Sequence, residues 1–307
     1  PIVTTPSDAN YSGAAWVDYD NDGDLDLYAS KASLFKNNGD GTYSKITVTI
    51  GSGMVGLGNG ASWTDYDNDG DLDVILAGIP SRFYRNEGND NFTIITDGEL
   101  GTSQDNRAWT FSWADFNNDG YVDLLLIHPR AFVGTPHIPN RLFLGNGDGR
   151  FTELAGFEFT TTLAPYTVAT WYDFDLDGDQ DLFIGSGPAG TAARDFLFRN
   201  LFIETGEIGF ERINDLPMGT DLQDGQVWNL IDYDNDGDLD ALITNYGGAI
   251  NRFYKNNNGT YLTITTPFTV GGSYLGNCWG DFDNDGDLDV AFSSESNLQV
   301  FLNEGND

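Results

Sequence analysis

Apolar and polar residues alternate along this chain in short bursts, with no sustained helical period. Residues 60–96 show the unit most clearly: GASW leads into an acidic stretch, DVILAG leaves it, RFYRN follows, a Gly-Asn-Asp turn intervenes, and FTIIT closes the set. Runs of about five residues with β-branched and aromatic side chains, punctuated by Gly, Asn and Asp, predict four short antiparallel strands. The set recurs six times. Its acidic stretches read WVDYDNDGDLD (16–26), WTDYDNDGDLD (63–73), WADFNNDGYVD (113–123), WYDFDLDGDQD (171–181), LIDYDNDGDLD (230–240) and WGDFDNDGDLD (279–289). The first aspartates, Asp18, Asp65, Asp115, Asp173, Asp232 and Asp281, are separated by steps of 47, 50, 58, 59 and 49 residues. Four strands per repeat of roughly 50 residues predict an all-β fold, a β-propeller of six four-stranded blades forming a single domain over 1–307.

The sixth unit stops at FLNEGND, where the second runs on from RNEGND into NFTIIT. The N-terminal PIVTT is an unattached β-prone segment, so residues 1–5 are expected to complete the last blade and protect its edges. The same strand could instead complete a neighbouring molecule and build a filament, a route to self-association.

Each acidic stretch has the chemistry of a cation loop. In the first, positions 1, 3, 5 and 9 are Asp18, Asp20, Asp22 and Asp26, with Gly23 at position 6. Hard divalent cations take six to eight oxygens, and carboxylates at 1, 3 and 5, a turn glycine at 6 and a carbonyl at 7 form the first half of an EF-hand loop. Here an aspartate at 9 closes the site and a strand begins. The other loops supply Asp65, Asp67, Asp69 and Asp73; Asp115, Asn117, Asp119 and Asp123; Asp173, Asp175, Asp177 and Asp181; Asp232, Asp234, Asp236 and Asp240; and Asp281, Asp283, Asp285 and Asp289. Position 7, held by Asp24, Asp71, Tyr121, Asp179, Asp238 and Asp287, is expected to bind through its backbone carbonyl, which explains how a tyrosine is tolerated there. Variation falls where this chemistry permits it.

The expected cofactor is therefore about six Ca²⁺, one per repeat. Calcium suits an all-protein oxygen cage better than magnesium, which retains its waters. Two carboxylates about 4 Å apart repel by about 4 kcal/mol at an effective dielectric of 20, so cation binding should be coupled to folding. With a Kd of roughly 10 μM, about 1 mM calcium adds about 2.7 kcal/mol per site. Calcium is that abundant outside cells, which predicts a secreted or cell-surface protein.

Composition sharpens this picture. There are 48 acidic against 14 basic residues, a net charge of −34, distributed in clusters through the chain. That field opposes nucleic acid and anionic membranes, and no apolar run is long enough to span a bilayer. The single cysteine, Cys278, excludes an intrachain disulfide. Asn10, Asn91 and Asn258 stand in glycosylation sequons.

At these residues the chain resembles the FG-GAP/VCBS repeat family, whose blades in integrin α-chain heads and in bacterial secreted proteins carry the D-x-D-x-D-G-x-x-D calcium loop. The resemblance covers all six units. It implies the same calcium ligands at the positions named above, and it includes adhesion modules, lectins and propeller-shaped polysaccharide lyases among the functions implied. Asn117, Gln180 and Leu230 depart from the other copies of the repeat.

Two activities follow as expectations. The favoured one is a binding, adhesion or structural module for a glycan or an extracellular protein. Loops entering the first strands carry Tyr11, Tyr166 and Tyr274 seven residues before an aspartate, with Arg107, Trp109 and Asp224 alongside, and exposed aromatics beside polar groups suit sugar stacking. Trp16, Trp63, Trp113, Trp171 and Trp279 recur in fixed register and are expected in the core. The alternative is a secreted polysaccharide lyase or hydrolase using the insertion 128–141, IHPRAFVGTPHIPNR in context, where His128, His137 and Arg130 could abstract a proton and neutralise a carboxylate.

Overall fold

A computed structural model of the chain describes residues 14–29, 33–47, 50, 61–77, 80–96, 98–101, 108–128, 137–187, 192–294 and 297–305. Six antiparallel sheets follow one another in chain order and are the six blades of a β-propeller. The second blade is representative: Ala61–Thr64, Asp73–Leu76, Arg82–Asn86 and Phe92–Ile94 pair successively, with Trp63 opposite Val74 and Thr64 opposite Asp73. Five blades have four strands. The sixth, Tyr274–Gly280, Asp289–Ser294 and Leu298–Phe301, has three among the described residues, and its outermost strand leaves Leu298 and Val300 exposed. The completing strand expected from residues 1–5 lies outside the described residues.

The chain divides into two compact units: residues 1–113, 119–128 and 140–156 in one, and 114–118, 129–139 and 157–307 in the other. In the first unit, Tyr28, Leu34, Val74, Leu76, Tyr84 and Phe92 form a buried cluster, and Tyr66, Ile75, Phe83, Leu124, Leu126 and Phe143 form a second. Second strands supply residues to both because they are buried on both faces, as in Asp123–Ile127, and therefore read as unbroken apolar runs. In the second unit, Phe183, Leu197, Trp228, Leu230 and Ile243 form one cluster and Leu242, Phe253, Val290 and Phe292 another.

The recurring tryptophans are mostly, but not all, core residues. Trp63 meets Tyr28 and Phe92 edge-on, and Trp171 stacks on Phe116 at 5.6 Å between ring centroids. Each packs on a ring of the preceding unit. Trp16 departs from the expectation: it is 54% exposed, and its described ring partner is Tyr43 of its own blade. In the fifth blade Leu230 replaces the tryptophan, and Trp228, two residues earlier and so on the same strand face, fills the core instead.

First strands differ between the units. Those of the last three blades, Tyr166–Tyr172, Gly225–Ile231 and Tyr274–Gly280, are seven residues long and carry a register shift near their start. A bulge re-aims the side chains before it. That local irregularity decides the fate of several predicted ligand residues.

Candidate functional site

The acidic loops share one hydrogen-bond ladder. The amide at position 5 donates to one oxygen of the position 1 carboxylate and the glycine amide at position 6 donates to the other, as in Asp22 and Gly23 to Asp18 at 3.1 and 3.0 Å. The same pair recurs at Asp65, Asp173, Asp232 and Asp281. The position 7 amide donates to the position 5 carboxylate, including Tyr121 to Asp119 at 2.9 Å. Tightening so short a loop requires left-handed backbone at position 4, where asparagine stands in five copies, and at the position 6 glycine. In the fourth copy Leu176 adopts this conformation, with φ of 59°, and no side-chain amide eases it.

Position 9 has a second task. Asp26, Asp73, Asp123, Asp181, Asp240 and Asp289 are all buried at the first residue of their second strands. One oxygen of Asp73 accepts the Asn86 amide at the end of the third strand (2.8 Å), and the other accepts the Tyr66 amide in the loop (3.2 Å). The pattern repeats at Asp26, Asp181, Asp240 and Asp289. Burial raises the carboxyls of Asp73 and Asp181 to about 8 and that of Asp240 to about 6, against the lowering effect of those amides.

The donor set fits a hard cation. Ligand oxygens of Asp18, Asp20 and Asp22 lie within 4.8 Å of one another, as do those of Asp65, Asp67 and Asp73, of Asp173, Asp175 and Asp181, and of Asp232, Asp234 and Asp236. Two oxygens on one calcium, each at 2.3–2.6 Å, can be at most about 5 Å apart, so these spacings are compatible with a shared ion. The position 3 carboxylates carry the sharpest signal. Asp20, Asp67 and Asp234 each have one oxygen, Oδ1, buried without a hydrogen-bond partner, and the Asp234 side chain is only 7% exposed. A buried, unpaired carboxylate oxygen is costly unless a cation meets it.

The other oxygen of position 3 explains a residue that sequence reading missed. The residue just before the asparagine or glycine that closes each third-strand segment (Asn37, Asn86, Gly145, Asn200, Asn256, Asn303) is Lys36, Arg85, Leu144, Arg199, Lys255 and Leu302. Lys36 bonds Asp20 and lies 3.2 Å from Asp22; Arg199 bonds Asp175 at 2.7 Å; Arg85 lies 4.0 Å from Asp67; and Lys255 pairs with Asp234. Four basic residues therefore meet the Oδ2 oxygen of position 3, while Oδ1 of Asp20, Asp67 and Asp234 stays unpaired. The signal was present in the recurring LFKN, FYRN, LFRN and FYKN.

The predicted ligand and catalytic residues fare differently. Tyr11, Arg107 and Arg130 lie outside the described residues. Tyr166 is fully buried against Phe196, with ring centroids 4.7 Å apart, and Tyr274 is buried against Phe292 with its hydroxyl donating to Gln299 at 3.0 Å. Asp224 is buried and accepts a bond from the Gln226 amide at 2.7 Å. These three belong to the interior, because the bulged first strands turn them inward. Trp109 is half-buried, its amide donating to the Ile127 carbonyl at 2.9 Å. His128 is 4% exposed and continues a second strand, with its amide bonded to Asn140 at 2.8 Å, so its ring is removed from the surface chemistry expected of a lyase base. His137 is exposed.

A cleft of about 780 Å³ opens in the second unit. Phe174, Leu176, Arg199, Asn214, Asn258 and Tyr261 are among its lining residues, and the strained Leu176 is 62% exposed there. Tyr261 is buried, and its hydroxyl has no hydrogen-bond partner.

The FG-GAP-like repeat profile matches residues 28–76, 77–126, 132–184 and 232–292, well over half of the chain. No curated protein matches it in sequence. Among solved structures it is similar to a lectin of Agrocybe aegerita that recognises non-reducing terminal N-acetylglucosamine, with a TM-score of 0.60 at 16% identity over 96% of this chain and 78% of that one. It is also similar to Sqt1 of Saccharomyces cerevisiae (TM-score 0.48, 11% identity, 90% and 80% covered) and to AofleA of Arthrobotrys oligospora (TM-score 0.45, 11% identity, 91% and 78% covered).

Proposed function

This chain belongs to the FG-GAP-like repeat family, and we propose from that premise that it is a calcium-stabilised binding module whose ligand is a neutral saccharide. The observation that carries the binding reading is the cleft of the second unit. Its volume falls within the 300–1,000 Å³ usual for ligand sites. Its wall combines the rings of Phe174 and Tyr261 with the polar ends of Arg199, Asn214, Asn256 and Asn258, the mixture that a sugar's apolar face and hydroxyls require. Asp175, Glu211, Asp215 and Asp238 outnumber Arg199 and Arg212, which disfavours an acidic sugar.

Calcium enters this reading as a folding partner. Asp18, Asp20, Asp22 and their counterparts would hold the ions, position 7 through its carbonyl, and each ion would relieve the repulsion within its loop. The weak affinity expected of such loops suits an extracellular setting, where calcium is plentiful.

A glycan array probed in calcium, with terminal N-acetylglucosamine among its sugars, tests the ligand class. Binding to neutral glycans that is lost in Asn214→Ala supports the proposal; Asn214 is exposed and outside the core. An array with no neutral glycan retained by the wild-type chain would sink it.

A further inference from the structure

We propose that the fourth blade holds a second divalent-cation site, formed by Asp177, Asp179 and Glu204, beside the loop site and distinct from it. The three side chains offer oxygens that all lie within 4.8 Å of one another, a spacing one calcium can bridge. Asp179 stands at position 7, where the loop uses only a backbone carbonyl, so its carboxylate is free for another purpose. It is 1% exposed. One of its oxygens accepts the Ile203 amide at 2.9 Å, while Oδ1 is buried without a hydrogen-bond partner. Asp177 likewise accepts the Asp179 amide on Oδ1 and keeps Oδ2 buried and unpartnered. Two buried carboxylate oxygens without donors, on side chains grouped with a third carboxylate, call for positive charge.

The other blades show why this is specific to the fourth. Asp71 accepts the Asn21 side-chain amide at 2.8 Å and Asp287 accepts that of Asn235 at 3.0 Å, whereas Asp238 accepts the backbone amide of Asn258 at 2.6 Å, as Asp179 does that of Ile203. The corresponding Asn118 side chain donates to the Gly178 carbonyl at 3.0 Å, leaving Asp179 without that bond. Position 7 is exposed at Asp24 and buried at Asp179. The cover is the segment LFIETGEIG, which replaces the short third turn of the other units and folds as a single helical turn, Phe202–Thr205, ended by left-handed Gly206. That turn brings the exposed Glu204 carboxylate to Asp177 and Asp179. Three carboxylates and no nitrogen or sulfur donor select a hard cation, with water completing the shell. The site shares the Asp177 carboxylate with the loop cage, to which Asp179 gives only its carbonyl, and it rests on the calcium reading of that cage to this extent alone.

Native mass spectrometry of the full chain in calcium counts bound ions and separates the two sites. Glu204→Gln removes an exposed ligand, and Asp179→Asn removes a carboxylate while keeping the position 7 carbonyl. Each is expected to bind one ion fewer than the wild-type chain, with melting in EGTA unchanged for Glu204→Gln. Asp173→Ala removes a ligand of the loop cage only. If Glu204→Gln and Asp179→Asn both keep the wild-type count, the second site is overturned. If Asp173→Ala keeps that count while Glu204→Gln loses one ion, the loop reading fails and the second site stands.

Discussion

At one end of the second strands stand Asp73, Asp181, Asp240 and their counterparts, with both carboxylate oxygens bonded to backbone amides; at the other end the same strands are held by Asn140, Asp195 and Asn251. These three precede their third strands and accept the amides of His128, Ser186 and Asn245 at 2.8, 2.7 and 2.9 Å. The second strands of the third, fourth and fifth blades thus end in a side-chain acceptor at both termini, where the ladder runs out and buried amides would otherwise be orphaned. The difference lies in what else the residue must do. The loop end must also carry negative charge toward a cation, and aspartate occupies it in all six copies. The far end needs only an acceptor, and asparagine serves as well as aspartate. Repetition at the loop end therefore reports chemistry, and variation at the far end reports geometry.

Calcium removal should break the comparison most. With six sites each contributing about 2.7 kcal/mol at a hundredfold excess of ion over Kd, EGTA should lower the melting temperature by roughly 10 °C or more. An unchanged temperature would mean that the loop end is as purely geometric as the far end. Asp73→Ala comes next: it orphans two buried amides and should cost about 3–5 kcal/mol in denaturant unfolding in EGTA, and more in calcium, where a cation ligand is lost as well.

Asp195 sharpens the contrast, because it is an acid placed where other blades use asparagine. Burial raises its carboxyl to about 8, against the bonds from the Ser186 amide and hydroxyl, with Asp224 adding to the rise. The native state therefore binds the proton more tightly than the unfolded chain, and stability should fall as pH rises from about 4 to about 8, by up to roughly 1.4 kcal/mol per pH unit. Asp195→Asn should remove that slope in EGTA, where loop cations do not contribute. Parallel slopes for the two proteins would refute the assignment. Asn251→Ala should cost about 1–3 kcal/mol at every calcium concentration, since it strips a partner from the Asn245 amide and from the Phe268 carbonyl but from no cation ligand. The smallest change is Leu176→Asn, which relieves left-handed strain and should raise stability by roughly 1 kcal/mol in thermal melts.

Much of this was legible beforehand. The six-fold recurrence of the acidic loop, Dx(D/N)xDG, with apolar runs between, prescribes repeated four-stranded blades because each run can bury itself only against its neighbours. The candidate cation ligands followed from the types tolerated at each loop position, down to Tyr121. The misplacements have local causes. Tyr166 and Tyr274 were assigned to a ligand surface because spacing from the aspartates assumes a regular strand, and a register shift turned them into the core. Trp16 was assigned to the core because its register matches Trp63, yet burial requires a neighbouring unit to cover it. His128 looked like loop chemistry because the strand beginning at Asp123 runs directly into it.

The sequence by itself determined the repeat, the strands and the acidic loops, since these depend on periodicity, turn residues and charge within about 50 consecutive residues. Tertiary structure alone decided which polar groups lost their partners. The unpaired oxygens of Asp20, Asp67 and Asp234, the bases that orient them from the third strands, and the meeting of Asp179 with Glu204 all depend on how segments far apart in a unit come together. Burial converts a common residue into a demanding one, and burial is a property of neighbours that a strand pattern does not name.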